Sequence, residues 1–177
     1  QGFVVASVEY RTSNEGSFPM ALQDVKAAIR YLRAHAARYC IDPELFGAMG
    51  ESAGGYLTCM AALDQDKELE VGEYLEQSSA IQAACPWYPP TNAGSFPYEN
   101  ELQAAMSPES LFLGYNVMTN QEEAIASSPV SKVTKDAPPF FIIHGTNDHT
   151  VPFTQSEQLY QKLEEAGCDV TLLALDG

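Results

Sequence analysis

Gly50-Glu51-Ser52-Ala53-Gly54-Gly55 is the stretch on which the reading of this chain turns. A short apolar run, Leu45-Phe46-Gly47-Ala48-Met49, precedes it, and residues 56–63, suited to a helix, follow it. Strand, G-x-S-x-G, helix is the pattern of a nucleophile elbow. Such a turn is sharp, so Gly50 and Gly54 are expected to remove Cβ atoms that would collide where strand and helix meet. The turn lifts the Ser52 hydroxyl above the carboxyl end of a sheet. The Ala53 N–H, at the helix N-terminus, then faces a developing oxyanion. A bare G-x-S-x-G also describes a Gly/Ser-rich turn before a helix. The strand before it, the helix after it and the extra Gly55 favour the catalytic reading.

Outward from this turn, strands and helices alternate. Residues 3–8, Phe-Val-Val-Ala-Ser-Val, read as a strand buried on both faces. Pro19 opens a helix to about Tyr39, with Leu22, Val25, Ile29, Leu32 and Ala36 as its inner face. Asp24, Lys26, Arg30 and Arg33 fall off that face, and His35 reads as a surface residue. Residues 64–76 hold six acidic residues and one Lys, and read as a solvated loop or a docking surface. Further strands are expected at 80–85, 139–144 and 170–175. Thr154 and Glu157 suggest a capping box for the last helix, which Gly167 ends. Between 86 and 128 five prolines break the pattern, which predicts an irregular lid or substrate-binding insertion. The alternation predicts an α/β fold with a mostly parallel sheet, as one domain over 1–177.

Composition narrows the function. Nine basic and 24 acidic residues give a net charge of −15, which argues against nucleic acid and anionic membrane surfaces. No apolar run is long enough to span a bilayer. Cys40, Cys59, Cys85 and Cys168 are widely spaced without a C-x-x-C, so neither zinc nor disulfides are expected. That mildly favours a reducing, cytoplasmic compartment. The sequence leaves the oligomeric state open, a homo-oligomer included.

An activated serine needs a base, and the base needs an orienting carboxylate. Asp148 lies just past the carboxyl end of the strand at 139–144, after the turn Gly145-Thr146-Asn147. A loop Asp capping its own turn is the plainer reading. Its place after the elbow and the following Val151-Pro152 favour the catalytic one. Trp87 and Tyr88 follow the strand at 80–85, and with Glu51 they are expected to line the substrate pocket.

With these motifs in this order, the chain resembles the α/β-hydrolase superfamily. It is most similar to the esterase/lipase branch related to hormone-sensitive lipase and to bacterial carbohydrate acetyl and feruloyl esterases. The resemblance rests on Val8-Glu9-Tyr10-Arg11, Gln23-Asp24-Val25-Lys26-Ala27-Ala28, the elbow, residues 138–148 and Val151-Pro152. It implies a three-layer sheet with helices on both faces. It also implies a serine ester hydrolase acting through an acyl-enzyme on a short-chain or carbohydrate-linked ester, without a cofactor. Ser52 is the implied nucleophile, Asp148 the implied acid and the Ala53 N–H an oxyanion donor. A non-catalytic binding module and a peptidase of the same fold are the alternatives.

Two parts that the resemblance implies are expected outside the numbering: a catalytic His after the last strand and a His-Gly-Gly oxyanion motif before residues 3–8. The chain reads as the middle of a longer polypeptide and is expected to be inactive alone. His35 is in the wrong helix, His144 belongs to a strand, and His149 adjoins Asp148 too closely to bridge it to Ser52. A metal site at His144, Asp148 and His149 lacks a fourth ligand. The family's strand order further predicts no ladder between residues 3–8 and 45–49, with the slot between them filled from outside the numbering.

Overall fold

Four short apolar strands run parallel: β1 (Gly47–Glu51), β2 (Ala83–Trp87), β3 (Phe140–Gly145) and β4 (Val170–Leu175). They stand in the order β1-β2-β3-β4 in the computed structural model, which describes residues 2–177. Gly47 pairs with Ala83, Ala84 with Phe140 and Gly145 with Leu175. Because all strands point the same way, the turns that leave β1 and β3 share one edge. Only β2 separates them, roughly 10 Å at ordinary strand spacing.

The main helices are α1 (Met20–Ala34), α2 (Ala36–Tyr39), α3 (Ala53–Leu63) and α7 (Thr154–Glu165). Helix α3 is apolar all round and buried from Gly55 to Leu63, the mark of a central helix. It packs on β1 and β2 and against α1, while α7 packs on β3 and β4. Within β3, Phe140, Ile142 and His144 are buried in this layer. The pleat turns the alternate residues outward. On that opposite face Met49, Trp87, Phe141 and Leu173 are exposed. Among the described residues, the helices that pack on the strands cover one face of the sheet. The four cysteines are free thiols.

Residues 3–8 do not form the expected buried strand: they have no ladder, and Phe3 is 86% and Val5 88% exposed. An apolar run becomes a strand only where another edge accepts its backbone groups. The absence of a ladder between this segment and β1 is as the strand order predicts. The segment is tied down beyond it, where Arg11 forks onto Asp24 of α1, Nη2 to Oδ1 at 2.8 Å and Nε to Oδ2 at 2.9 Å.

Helix α1 corrects the reading of its polar residues. Lys26 and Arg30 are 2% and 0% exposed, not on the solvent face. Lys26 Nζ donates to the Asp64 carbonyl at 2.9 Å and to Glu70 Oε1 at 3.1 Å, and the Arg30 guanidinium pairs with Glu70. Arg33 donates to the carbonyls of Pro43 and Ala80. The acidic stretch is therefore no free solvated loop: Lys26 and Arg30, one helical turn apart, clamp part of it onto α1. The helix expected from Pro19 to Tyr39 also breaks at His35, which is half-buried against the Tyr31 and Tyr74 rings.

The segment expected to be irregular carries three short helices: α4 (Glu101–Ala105), α5 (Pro108–Leu113) and α6 (Gln121–Ala126). Pro108 starts α5 instead of breaking it, because the first helical position needs no N–H. Ser107 Oγ caps that helix by accepting from the Ser110 N–H at 3.1 Å. The capping box expected at Thr154 and Glu157 is not formed. The Gln155 and Ser156 N–H groups donate instead to the Pro152 and Phe153 carbonyls. Gly167 ends α7 as expected. At φ +77° it closes a Schellman motif, with the Cys168 N–H on the Leu163 carbonyl and the Gly167 N–H on that of Glu164.

Burial and pairing set the cost of two substitutions. Ile142→Ala will cost about 2–5 kcal/mol in urea unfolding, whereas Phe141→Ala, on the exposed face of the same strand, will cost far less. Glu70→Ala will destabilise by about 3–5 kcal/mol, since it leaves Lys26 and Arg30 buried without their carboxylate; urea midpoints of the two proteins measure it.

Candidate active site

Ser52 stands between the last residue of β1 and the first of α3, with φ 52° and ψ −118°. A non-glycine residue at positive φ is strained by about 1–3 kcal/mol and is held there by its surroundings. Those surroundings are visible. A Cβ on Gly50 would meet the Gly54 carbonyl oxygen at 2.5 Å, and one on Gly55 would meet the Trp87 oxygen at 2.8 Å. Gly54 itself has open space where a Cβ would stand, so the collision expected at Gly54 falls at Gly55. The Ser52 N–H donates to the Trp87 carbonyl at 3.0 Å, and the Tyr56 N–H to the Ser52 carbonyl at 3.0 Å. The turn is thus stitched to β2 and opens α3. Ser52 and Ala53 are exposed, and the Ala53 N–H has no acceptor among the described residues.

Asp148 lies in the turn after β3, on the same sheet edge as Ser52. Its Oδ1 accepts from the Thr150 and Val151 N–H groups at 2.8 and 2.9 Å. It therefore does cap its own turn, and this capping leaves Oδ2 as the freer oxygen. Behind the turn, His144 is fully buried. Its Nε2–H donates to the Val151 carbonyl at 2.9 Å, so Nδ1 accepts from the Ser156 hydroxyl at 2.7 Å. Both ring nitrogens are engaged. Burial pushes its pKa below 6.5, against the opposing pull of the Val151 bond and of Asp148, whose Oδ2 is 3.6 Å away. His144 is a neutral pin under the Asp148 turn, not a base facing Ser52. His149 is exposed. Among the described residues no three His, Cys, Asp or Glu side chains are grouped to hold a metal ion.

Beside Ser52 opens a cavity with room of about 130 Å³ for the centre of a water-sized sphere. Ser52, Ala53, Tyr56 and Phe112 line it from one side, and Thr150 and Val151 bring the Asp148 turn to it. The Phe112 and Tyr56 rings meet edge to face at 5.1 Å, and the Tyr56 hydroxyl donates to the Ser127 carbonyl at 2.7 Å. Burial holds the Tyr56 phenol well above its ordinary pKa, so it stays a donor. Glu51, Trp87 and Tyr88 are not on this wall, contrary to expectation. Side chains alternate along a strand. Glu51 and Trp87 therefore point to the exposed face of the sheet, where the Tyr88 hydroxyl donates to the Glu51 carboxylate. Much of the wall comes from residues 90–128, within the segment read from its prolines as a lid or substrate-binding insertion. Ser107-Pro108, a cap followed by a first-turn proline, was the available signal for α5. Gln155, fully buried, fastens this wall: its Oε1 accepts from the Thr91 and Asn92 N–H groups at 2.8 and 2.7 Å.

The BD-FAE family model matches residues 1–163. The chain belongs to the BD-FAE family. This BD-FAE chain is 33% identical over 171 residues to the probable carboxylic ester hydrolase LipM of Mycobacterium tuberculosis, covering 93% of the chain and 38% of LipM. It is 34% identical to the esterase LipQ of the same organism, with 94% and 39% covered. The chain thus spans about two-fifths of the length of these relatives. Among solved structures, a truncated carbohydrate esterase from gut microbiota superposes with a TM-score of 0.89 at 34% identity, over 97% of this chain and 65% of that one. Thermogutta terrifontis esterase 2, phosphoramylated by tabun, gives 0.75 at 29% identity, over 96% and 58%. The BD-FAE chain has the α/β-hydrolase fold.

The neutral pin carries a pH signature. The unfolded chain binds a proton at position 144 below about pH 6.5, and the folded chain resists it, so stability is lost as pH falls through that value toward the lower folded pKa. Urea midpoints measured between about pH 7 and 5 will fall in the wild type. In His144→Gln they will start lower and slope less.

Proposed function

We propose that this BD-FAE protein is a serine carboxylic-ester hydrolase. The observation that carries the reading is Ser52, held exposed at positive φ on the edge of the sheet that also carries Asp148. Ser52 Oγ attacks the ester carbonyl. An imidazole other than those of His35, His144 and His149 takes the hydroxyl proton and returns it to the leaving alcohol. Asp148, held by two backbone N–H groups, orients that imidazole and stabilises its charged form. The Ala53 N–H donates to the oxyanion. Water then releases the acid from the acyl-enzyme. The curated relatives named as ester hydrolases and the neighbour named as a carbohydrate esterase support an ester substrate, short-chain or carbohydrate-linked. Residues 90–128 serve as the substrate-binding wall.

In the full-length protein, Ser52→Ala will lower kcat on p-nitrophenyl acetate by about a thousandfold or more, and Asp148→Asn by a comparable factor. The 177-residue chain alone will hydrolyse that ester no faster than its own Ser52→Ala variant. Full turnover in the Ser52→Ala protein would overturn the assignment.

A further inference from the structure

Building on the reading of Ser52 as nucleophile, we propose that Glu109 sets the specificity of the neighbouring cavity. Its carboxylate accepts a hydrogen bond from a hydroxyl of a polyol or sugar moiety, so esters of hydroxyl-rich alcohols are preferred to those of apolar alcohols. Glu109 is the one acidic or basic side chain on the cavity wall among the described residues. The rest of the wall is apolar or carries hydroxyls, such as Ser127 and Thr150.

The carboxylate is positioned, not loose. The Tyr98 hydroxyl donates to Glu109 Oε2 at 2.5 Å. Burial and the adjacent carboxylate both hold that phenol in its protonated form, which makes Tyr98 a standing donor. Tyr98 in turn stacks on Phe96, with centroids 6.0 Å apart and planes 14° from parallel. Oε1 is left without a hydrogen-bond partner among the described residues. A half-buried carboxylate oxygen in a largely apolar cavity gains from any donor that enters. A sugar hydroxyl is such a donor, and its neighbours can meet Ser127 and Thr150. An ammonium group would also pair with a carboxylate, and acetylcholine stands in the test as that competing substrate. Anionic substrates face both Glu109 and the net charge of −15.

The test uses the full-length protein with three acetate esters: an acetylated methyl glycoside, p-nitrophenyl acetate and acetylcholine. In Glu109→Gln and Glu109→Ala the ratio of kcat/KM for the glycoside to that for p-nitrophenyl acetate will fall roughly 10- to 100-fold. Tyr98→Phe, acting through Glu109, will raise KM for the glycoside several-fold while leaving kcat nearly unchanged. Calorimetric binding of the free methyl glycoside needs no turnover and will weaken by a similar factor in Glu109→Gln. Glycoside binding and the ester ratio both unaffected by Glu109→Gln would overturn the proposal, as would a preference for acetylcholine that the substitution abolishes. The Ser52→Ala control separates these outcomes from a failure of the nucleophile assignment. Such a failure would erase the activity difference between the wild type and Ser52→Ala, but would leave glycoside binding to report on Glu109.

Discussion

The strand and the helix around Ser52 run so close that no side-chain carbon fits on Gly50, against the Gly54 backbone, or on Gly55, against the Trp87 carbonyl. Within that approach Ser52 stands at positive φ, and the hydrogen bond from its N–H to the Trp87 carbonyl holds it there. The strain is sustained because α3, which starts at the next residue, is buried almost along its whole length. The neighbouring strands extend the same edge. β2 supplies the acceptor for the turn, and β3 places the second turn one strand further along the same edge.

The two turns are stiffened by different means. Around Ser52 the constraint is steric, an absence of atoms. Around Asp148 it is polar and layered: the carboxylate caps the loop, the loop carbonyl of Val151 accepts a hydrogen bond from His144 Nε2–H, and Ser156 at the start of α7 holds the other side of that ring. A buried imidazole with both nitrogens satisfied is a rigid strut. It transmits the position of the sheet and of α7 to the acidic residue without taking part in proton transfer.

Much of this was legible in the residues because the elements concerned obey local rules. The apolar runs of β3 and β4, the Gly-x-Ser-x-Gly turn and the glycine stop of α7 all depend on short-range sterics and hydrophobic period. Residues 3–8 have the composition of a strand but no partner, and pairing is not a local property. Lys26 and Arg30 look like surface residues until the acidic loop, some forty residues away, folds over them. The pocket was misplaced because Trp87 sits on the opposite side of the pleat from the buried residues of β2, a one-residue question of parity. The proline-rich segment was legible as an insertion over the site, but its helices are each too short to show periodicity.

That wall hangs from the framework by polar ties such as Gln155 to the backbone at Thr91 and Asn92, Tyr56 to the Ser127 carbonyl, and the Phe18 N–H to the Phe112 carbonyl. None of these ties passes through the Gly50–Gly54 junction or the Asp148 turn. The architecture therefore lets the cavity wall and the two turns vary separately: a substitution among residues 90–128 alters the cavity lining without touching the bonds that hold the Ser52 and Asp148 turns.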